Sequence, residues 1–353
     1  GGGLNYLNNI LPFFIADKDI DLHLCIHESQ RDFLPQNLRH INIHSLGFAP
    51  GFWRLQIHEQ IDVPRLAKRI GADVTFSPAN YGPLRAPNSV ILLRNALSVA
   101  FVERRLLKLA YWALVYLATF FSILFSKKAI VVSHYARKAF SEGFFSLFKN
   151  RFIVVNHGIS EIFSPPKEEI NREEFLLAVS DIYIQKNLKN LIIGFKKLKK
   201  NHPYLILKIA GRPIDHDHYQ DLKKVIYDNK LDKDVQFLGS VKTDELVRLY
   251  QSCSIFVFPS TIETFGNPLV EAMACGAPIA CSNTTAIPEV VGDAAVFFKP
   301  SSVTSITKVI NQLLNDYELR QNLSQKALKR AKEFSWQKAA KETIAVIRRV
   351  VET

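Results

Sequence analysis

The chain has 353 residues, 48% of them hydrophobic, which excludes a disordered or fibrous polypeptide and fits two globular domains with separate cores. A net charge of +12 favours phosphorylated ligands or an anionic membrane surface. No basic run is interleaved with aromatics, which argues against nucleic acid as a partner. The cysteines, Cys25, Cys253, Cys275 and Cys281, make no CxxC pair and are too few for a disulfide framework, so they read as reduced thiols in a cytoplasmic protein.

Gly1-Gly2-Gly3 reads as a loop leading into a helix over Leu4–Leu11, and a first strand ahead of it is expected to be missing. Predicted strands follow at Ile20–Ile26, Ile41–Leu46, Asp73–Phe76, Val90–Leu93, Ala129–Val132 and Phe152–Val155, with helices at Phe52–Ile70 and Tyr135–Phe144. Ser133-His134 follows a strand, with the serine read as a helix N-cap. Short apolar strands alternating with helices predict a parallel α/β sheet. Ser164-Pro165-Pro166-Lys167 breaks the pattern as a linker. A second α/β series has strands at Phe175–Val179, Leu205–Ala210, Val235–Leu238, Ser254–Phe258, Pro278–Ala280 and Ala294–Phe297. Its helices are predicted at Asn187–Lys200, Asp217–Asn229 and Thr243–Ser252. Helices alone fill the rest from Ser302, divided near Phe334-Ser335-Trp336. The resulting domains are 1–164, 165–333 and a closing helix over 334–353.

Leu106–Phe125 is the one stretch apolar enough to meet a membrane, flanked by Arg104-Arg105 and Lys127-Lys128. A span would split the first domain's sheet across a bilayer, so a domain-surface or core helix is favoured, with a membrane-contacting helix second. Lys108, Trp112, Thr119, Ser122 and Ser126 form a thin polar stripe at helical spacing.

The stretch from Phe258 to Pro278 carries the chemistry. A buried strand runs into a polar loop, then into a short helix with Asn267 as N-cap and Pro268 as first helical residue. Gly276 and Pro278 stop that helix. The loop and first turn offer backbone N–H groups and a positive dipole end to an anion such as phosphate. Two carboxylates, Glu263 and Glu271, flank this anion site. Acids beside an anion site make sense when they serve hydroxyls on the same ligand, and a sugar joined to a nucleotide has hydroxyls at both ends. Lys186, after a strand and at a helix start, is placed to reach a phosphate. Gly211 ends a strand where a ligand can approach the backbone. Arg212 beside it either meets a phosphate or caps the turn, and the backbone at Gly239-Ser240-Val241 either reads a nucleobase edge or simply turns. Asp19-x-Asp21 and Asp215-His216-Asp217-His218 lack a third metal ligand, so no metal site is expected.

The chain resembles the retaining glycosyltransferases of family 4, which have the GT-B fold. The resemblance rests on the Gly2-Gly3 loop, Asn156-His157-Gly158-Ile159, Gln185-Lys186-Asn187, the Glu-x7-Glu stretch Glu263–Glu271 and the closing Phe334-Ser335-Trp336. It implies an α/β protein of two Rossmann-like, doubly wound domains facing across a cleft, with the tail helix packed back on the first domain. By that resemblance Glu263 contacts the transferred sugar and Glu271 the ribose, while the N–H groups of Thr264, Phe265 and Gly266 face the sugar and diphosphate. Lys186 neutralises the leaving diphosphate, Gly3 approaches it from the first domain, and Val241 meets the base.

Two positions depart from the family. Ser180 stands where an arginine is usual, with Arg212 as a substitute, and Arg94-Asn95 replace a histidine on the acceptor side. The implied activity is metal-independent hexosyl transfer from GDP-mannose or UDP-glucose to a glycan or lipid-linked acceptor. It would serve lipopolysaccharide or other surface-polysaccharide assembly, in the cytoplasm or peripherally at its membrane. The alternatives are a catalytically weak GT-B scaffold and, less well matched for want of a G-x-G-x-x-G, a nucleotide-binding oxidoreductase.

Overall fold

The computed structural model describes residues 2–34, 41–49, 51–94, 105–168 and 171–352. The chain divides into two units, one of residues 1–95, 109–158 and 335–353, the other of residues 96–108 and 159–334.

The first unit opens with α1 (Gly2–Ala16), so helix already begins where a glycine loop was predicted. Then come β1 (His23–His27), β2 (Asn42–Leu46), α2 (Phe52–Ile70), β3 (Phe76–Ser77) and β4 (Val90–Leu93). They are followed by α3 (Leu106–Phe125), β5 (Lys128–Val131), α4 (His134–Phe140) and β6 (Phe152–Val154). β1 pairs β2 in parallel, and β3-β4-β5-β6 form a second parallel sheet. All four residues of β4 are buried, as expected for a strand covered on both faces. α4 stops four residues short of its expected end. Ser141 terminates it, and Gly143, at φ +63°, starts a 3-10 helix over Gly143–Arg151.

The second unit is the more regular. Its elements are β7 (Glu173–Val179), a 3-10 turn at Ile184–Lys186, α5 (Leu188–Leu198), β8 (Ile206–Ala210), α6 (His216–Asp228), β9 (Val235–Gly239) and α7 (Thr243–Ser252). β10 (Cys253–Phe258), α8 (Asn267–Ala274), β11 (Ile279–Ser282), α9 (Ile287–Val291), β12 (Ala295–Phe298), α10 (Val303–Asn315) and α11 (Tyr317–Ala331) complete it. Leu188, Leu191, Ile192 and Phe195 recur at i, i+3, i+4 and i+7 on α5, and they bury themselves in one core with Ile306, Ile310 and Leu313 of α10. The strands lie in the order β12-β11-β10-β7-β8-β9, all parallel. Chain direction across the sheet therefore reverses between β7 and β10. At such a switch point the loops leaving two adjacent strands diverge and open a crevice at their carboxyl ends.

The closing helices divide again after Asn315, where Asp316 caps α11 by accepting from the Leu319 N–H at 2.8 Å. Ser335 caps α12 (Trp336–Val351) in the same way. α12 belongs to the first unit, where Tyr6 meets the rings of His157 and Trp336 at 5.4 and 5.6 Å. Gly158 is required there: a Cβ would stand 2.1 Å from the Trp336 nitrogen.

Gly211 ends β8 at φ +148°, and a Cβ on it would lie 1.8 Å from the Ser180 carbonyl oxygen. Its missing side chain is thus required by the backbone leaving β7, a packing reason for glycine at this strand end. Gly211→Ala is expected to cost about 2–4 kcal/mol through clash and dihedral strain. Gly143→Ala, left-handed but with open space around it, should cost only about 1 kcal/mol. Urea unfolding of the two variants checks the difference.

Candidate active site

The loops leaving β7 and β10 bring together two residues 77 apart in the chain. The Lys186 Nζ donates to Glu263 Oε1 at 2.6 Å, with side chains only 18% and 13% exposed. The same ammonium lies 5.9 Å from the centroid of the Phe258 ring. The charges meet because the two loops are tied backbone to backbone. The Thr261 N–H and hydroxyl both donate to the Gln185 carbonyl, at 2.9 and 3.1 Å. The Asn187 amide donates to the Pro259 and Pro300 carbonyls at 3.1 and 2.9 Å, its backbone at φ +54° in the left-handed region that asparagine tolerates.

A third segment, after β11, fixes Glu263 from the other side. The Glu263 N–H donates to Thr285 Oγ1 at 3.1 Å, and the Thr284 hydroxyl donates to the Thr261 carbonyl at 3.2 Å. Thr285 sits at φ +56°, a conformation that costs a β-branched residue on the order of 1–3 kcal/mol. That strain is tolerated where it aims a hydroxyl at the backbone of the candidate catalytic loop.

Glu271 occupies a different environment. It lies in α8 and accepts the Tyr250 hydroxyl at 3.0 Å. Burial pushes its carboxyl up to about 7, against the opposing effect of that hydrogen bond. Gly266, at φ +96°, is the N-cap of α8, and Asn267 is already helical, so the expected asparagine cap is displaced by one residue. Thr264 and Phe265 line the same loop, with Phe265 buried against Phe334 at 5.6 Å.

Arg212 is turned to Asp181, its Nη2 2.8 Å from Oδ2. Burial alone would raise the Asp181 carboxyl, but the bonds from Arg212 outweigh it and hold the group below the usual range. The structure therefore places Arg212 on Asp181 rather than on the Lys186–Glu263 pair. Val241 follows the left-handed Gly239 at the end of β9 in the same unit. Asp215 caps α6 and takes a bidentate pair from Arg105 at 2.9 and 2.5 Å, so that motif has a structural occupation. Asp19 meets Arg348 at 2.9 Å and Asp21 meets His23 at 3.3 Å.

In the first unit Gly3 lies in the first turn of α1, and Arg94 follows β4 with its N–H on Asn80 Oδ1 at 2.8 Å. Asn95 lies outside the described residues. Burial lowers the Arg94 guanidinium and, on α2, pushes the Glu59 carboxyl up to about 7. Tyr250, Thr285 and Glu59 escaped the sequence reading. A lone tyrosine in an amphipathic helix and a threonine in a loop carry no local signal of what they will touch.

Residues 160–330, which hold Lys186, Glu263 and Glu271, match the family model described as Glycosyl transferases group 1. Escherichia coli O-antigen chain mannosyltransferase B is 31% identical over 182 residues, 50% of this chain and 46% of that protein. The chain thus spans less than half the length of the curated relatives it matches. Among solved structures it is similar to WaaG, a glycosyltransferase involved in lipopolysaccharide biosynthesis. The TM-score is 0.78 at 14% identity, covering 98% of this chain and 96% of that one. It is also similar to Anabaena HepE in complex with UDP and glucose, with TM-score 0.72 at 17% identity, covering 99% and 96%. The fold is that of the GT-B glycosyltransferases.

Glu271 makes a stability prediction independent of any ligand. Its folded pKa of about 7 lies above the ordinary 4.5, so the fold favours the protonated acid. That contribution is complete below pH 4.5 and is lost as pH rises through about 7. Glu271→Gln, which keeps an acceptor for Tyr250 but cannot ionise, should gain on wild type by on the order of 1–3 kcal/mol between pH 5 and pH 8. Paired urea titrations at the two pH values measure the gain.

Proposed function

We propose that this chain is a hexosyltransferase that moves mannose or glucose from a nucleoside diphosphate sugar to a glycan or lipid-linked acceptor, with retention of anomeric configuration. The observation that carries the reading is the Lys186–Glu263 pair at 2.6 Å, at the switch point of a doubly wound sheet. Its support from relatives is the mannosyltransferase match over 182 residues.

A departing nucleoside diphosphate gains negative charge as the glycosidic bond breaks. Lys186 supplies the opposing charge, and the first turn of α8 adds its dipole, so no step calls for a metal. As the diphosphate draws the ammonium over, Glu263 is released toward the sugar, where a carboxylate stabilises oxocarbenium character. Glu263 is not a covalent nucleophile in this scheme: the acceptor hydroxyl attacks from the face the diphosphate leaves. Glu271 holds the ribose hydroxyls, the N–H groups at Thr264–Gly266 face the sugar and diphosphate, and the Val241 backbone meets the base. By the resemblance, Gly3 is assigned to the diphosphate and Arg94 and Asn95 to the acceptor. GDP-mannose leads UDP-glucose as donor. The setting is surface-polysaccharide assembly, with the enzyme cytoplasmic or peripheral at the membrane.

A scaffold with weak turnover is the second reading, favoured by one observation: Ser180 replaces the usual arginine and Arg212 is engaged by Asp181. Nucleoside diphosphate release from GDP-mannose and UDP-glucose, with glycan and lipid-linked acceptors, decides between them. Wild type should turn over one donor, and Lys186→Ala and Glu263→Gln should each lower kcat by about 10²–10³. Thermal stabilisation by a donor without release in wild type would favour the scaffold and overturn the transfer reading.

A further inference from the structure

α3 is amphipathic in the reverse of the usual sense. Thr119, Ser122 and Ser126 are buried, with hydroxyls on the Val115 carbonyl at 2.8 Å, the Gly82 N–H at 3.1 Å and the Ile123 carbonyl at 3.2 Å. Tyr111, Leu114, Leu117, Phe121 and Phe125 face water, in a stripe at i, i+3, i+6, i+10 and i+14. The rotation of the helix is fixed. Ser122 bonds the Gly82 loop, and Arg151 donates to the carbonyls of Ile123, Leu124 and Ser126 at its C-terminus.

The patch continues beyond the helix. Phe120 packs on Phe144 and Phe145 with ring centroids 5.3 Å apart, which sets the 3-10 helix Gly143–Arg151 beside α3. Phe144 is more than half exposed there, and Leu147 is 78% exposed. An apolar surface of this extent on a folded unit marks an interaction site.

The charge around it selects the partner. Between Ser126 and Phe152 the chain carries Lys127, Lys128, Arg137, Lys138, Lys149 and Arg151 against a single acid, Glu142. Lys127, Arg137, Lys138 and Lys149 are exposed. Two copies meeting face to face would set these like charges together. An anionic lipid surface offers apolar depth for the aromatic stripe and opposite charge for Lys127, which follows α3, and Lys149 of the adjoining 3-10 helix. Among the described residues no helix is long and apolar enough to cross a membrane.

We propose that the outward face of α3 and the adjoining 3-10 helix form a docking surface for an anionic phospholipid bilayer, with α3 lying in the interface rather than crossing it. This gives the peripheral placement a specific surface. It is independent of the transfer reaction, since vesicle binding is read without donor or acceptor.

The test is flotation of the full chain with vesicles of phosphatidylcholine alone or mixed with phosphatidylglycerol, at low and high salt. Binding is expected to the mixed vesicles and at least tenfold weaker at 0.5 M salt, on the order of the loss that screening imposes on surface charges. It should also be at least tenfold weaker in Phe121→Glu and in Leu117→Ser, each with an unchanged melting temperature. Lys127→Glu/Lys149→Glu should weaken binding and flatten its salt dependence. Absence of binding to the mixed vesicles would overturn the proposal, as would binding indifferent to lipid charge and to Phe121→Glu. So would a wild-type dimer that Phe121→Glu makes monomeric without any vesicle binding.

Discussion

A lysine and a glutamate held 2.6 Å apart in a largely buried site are the constraint around which the second unit is arranged. Desolvating two charges is costly, and their attraction repays the cost only when geometry is tight and the remaining polar groups are satisfied. The loops meet that demand. Gln185 receives both donors of Thr261, Asn187 ties the Lys186 turn to Pro259 and Pro300, and Thr285 braces the Glu263 backbone. On the proposed transfer reading the pair waits, neutral in sum, until the donor diphosphate competes with one carboxylate for one ammonium. A site organised this way needs little rearrangement when charge develops on a leaving group, which is the basis of electrostatic preorganisation.

The two glutamates of the Glu-x7-Glu stretch show how one motif gives two chemistries. Glu263 lies against a cation. Glu271 has a neutral phenol as its hydrogen-bond partner and burial that pushes its acid up to about 7. Seven intervening residues carry the chain from loop to helix, so identical side chains end in opposite electrostatic surroundings.

Much of this was legible in the sequence, for definite reasons. In the second unit apolar strands alternate with amphipathic helices so cleanly that each strand falls within two residues of its expected place, and Thr243–Ser252 falls on it at both ends. Two acids flanking an anion site at a helix start singled out Glu263 and Glu271, and a place between strand end and helix start, with the family resemblance, singled out Lys186. What stayed hidden depends on which strands become neighbours. That Gly211 admits no side chain is seen only when β7 and β8 are paired and the Ser180 carbonyl stands where its Cβ would be. Arg212 looks available for phosphate until Asp181 is seen beside it. Tyr250 and Thr285 act through contacts 21 and 22 residues away that no local pattern encodes. In the first unit, β3 has two residues and α4 seven, too few for periodicity to fix their ends.

The direction in which α3 faces was hidden for a related reason. A helix apolar on most sides has no strong moment, so a thin stripe of hydroxyls does not tell which side meets solvent. Here those hydroxyls reach backbone groups at Val115, Gly82 and Ile123, which satisfies them without water. Once the hydroxyls are satisfied inside, the aromatic stripe is left outside. An outward stripe of this extent is the kind of contiguous apolar surface that marks an interaction site. In the proposed docking, the basic residues that follow α3 and those of the adjoining 3-10 helix specify the partner more narrowly than the apolar surface does: hydrophobic area is indifferent to its partner, whereas charge is not.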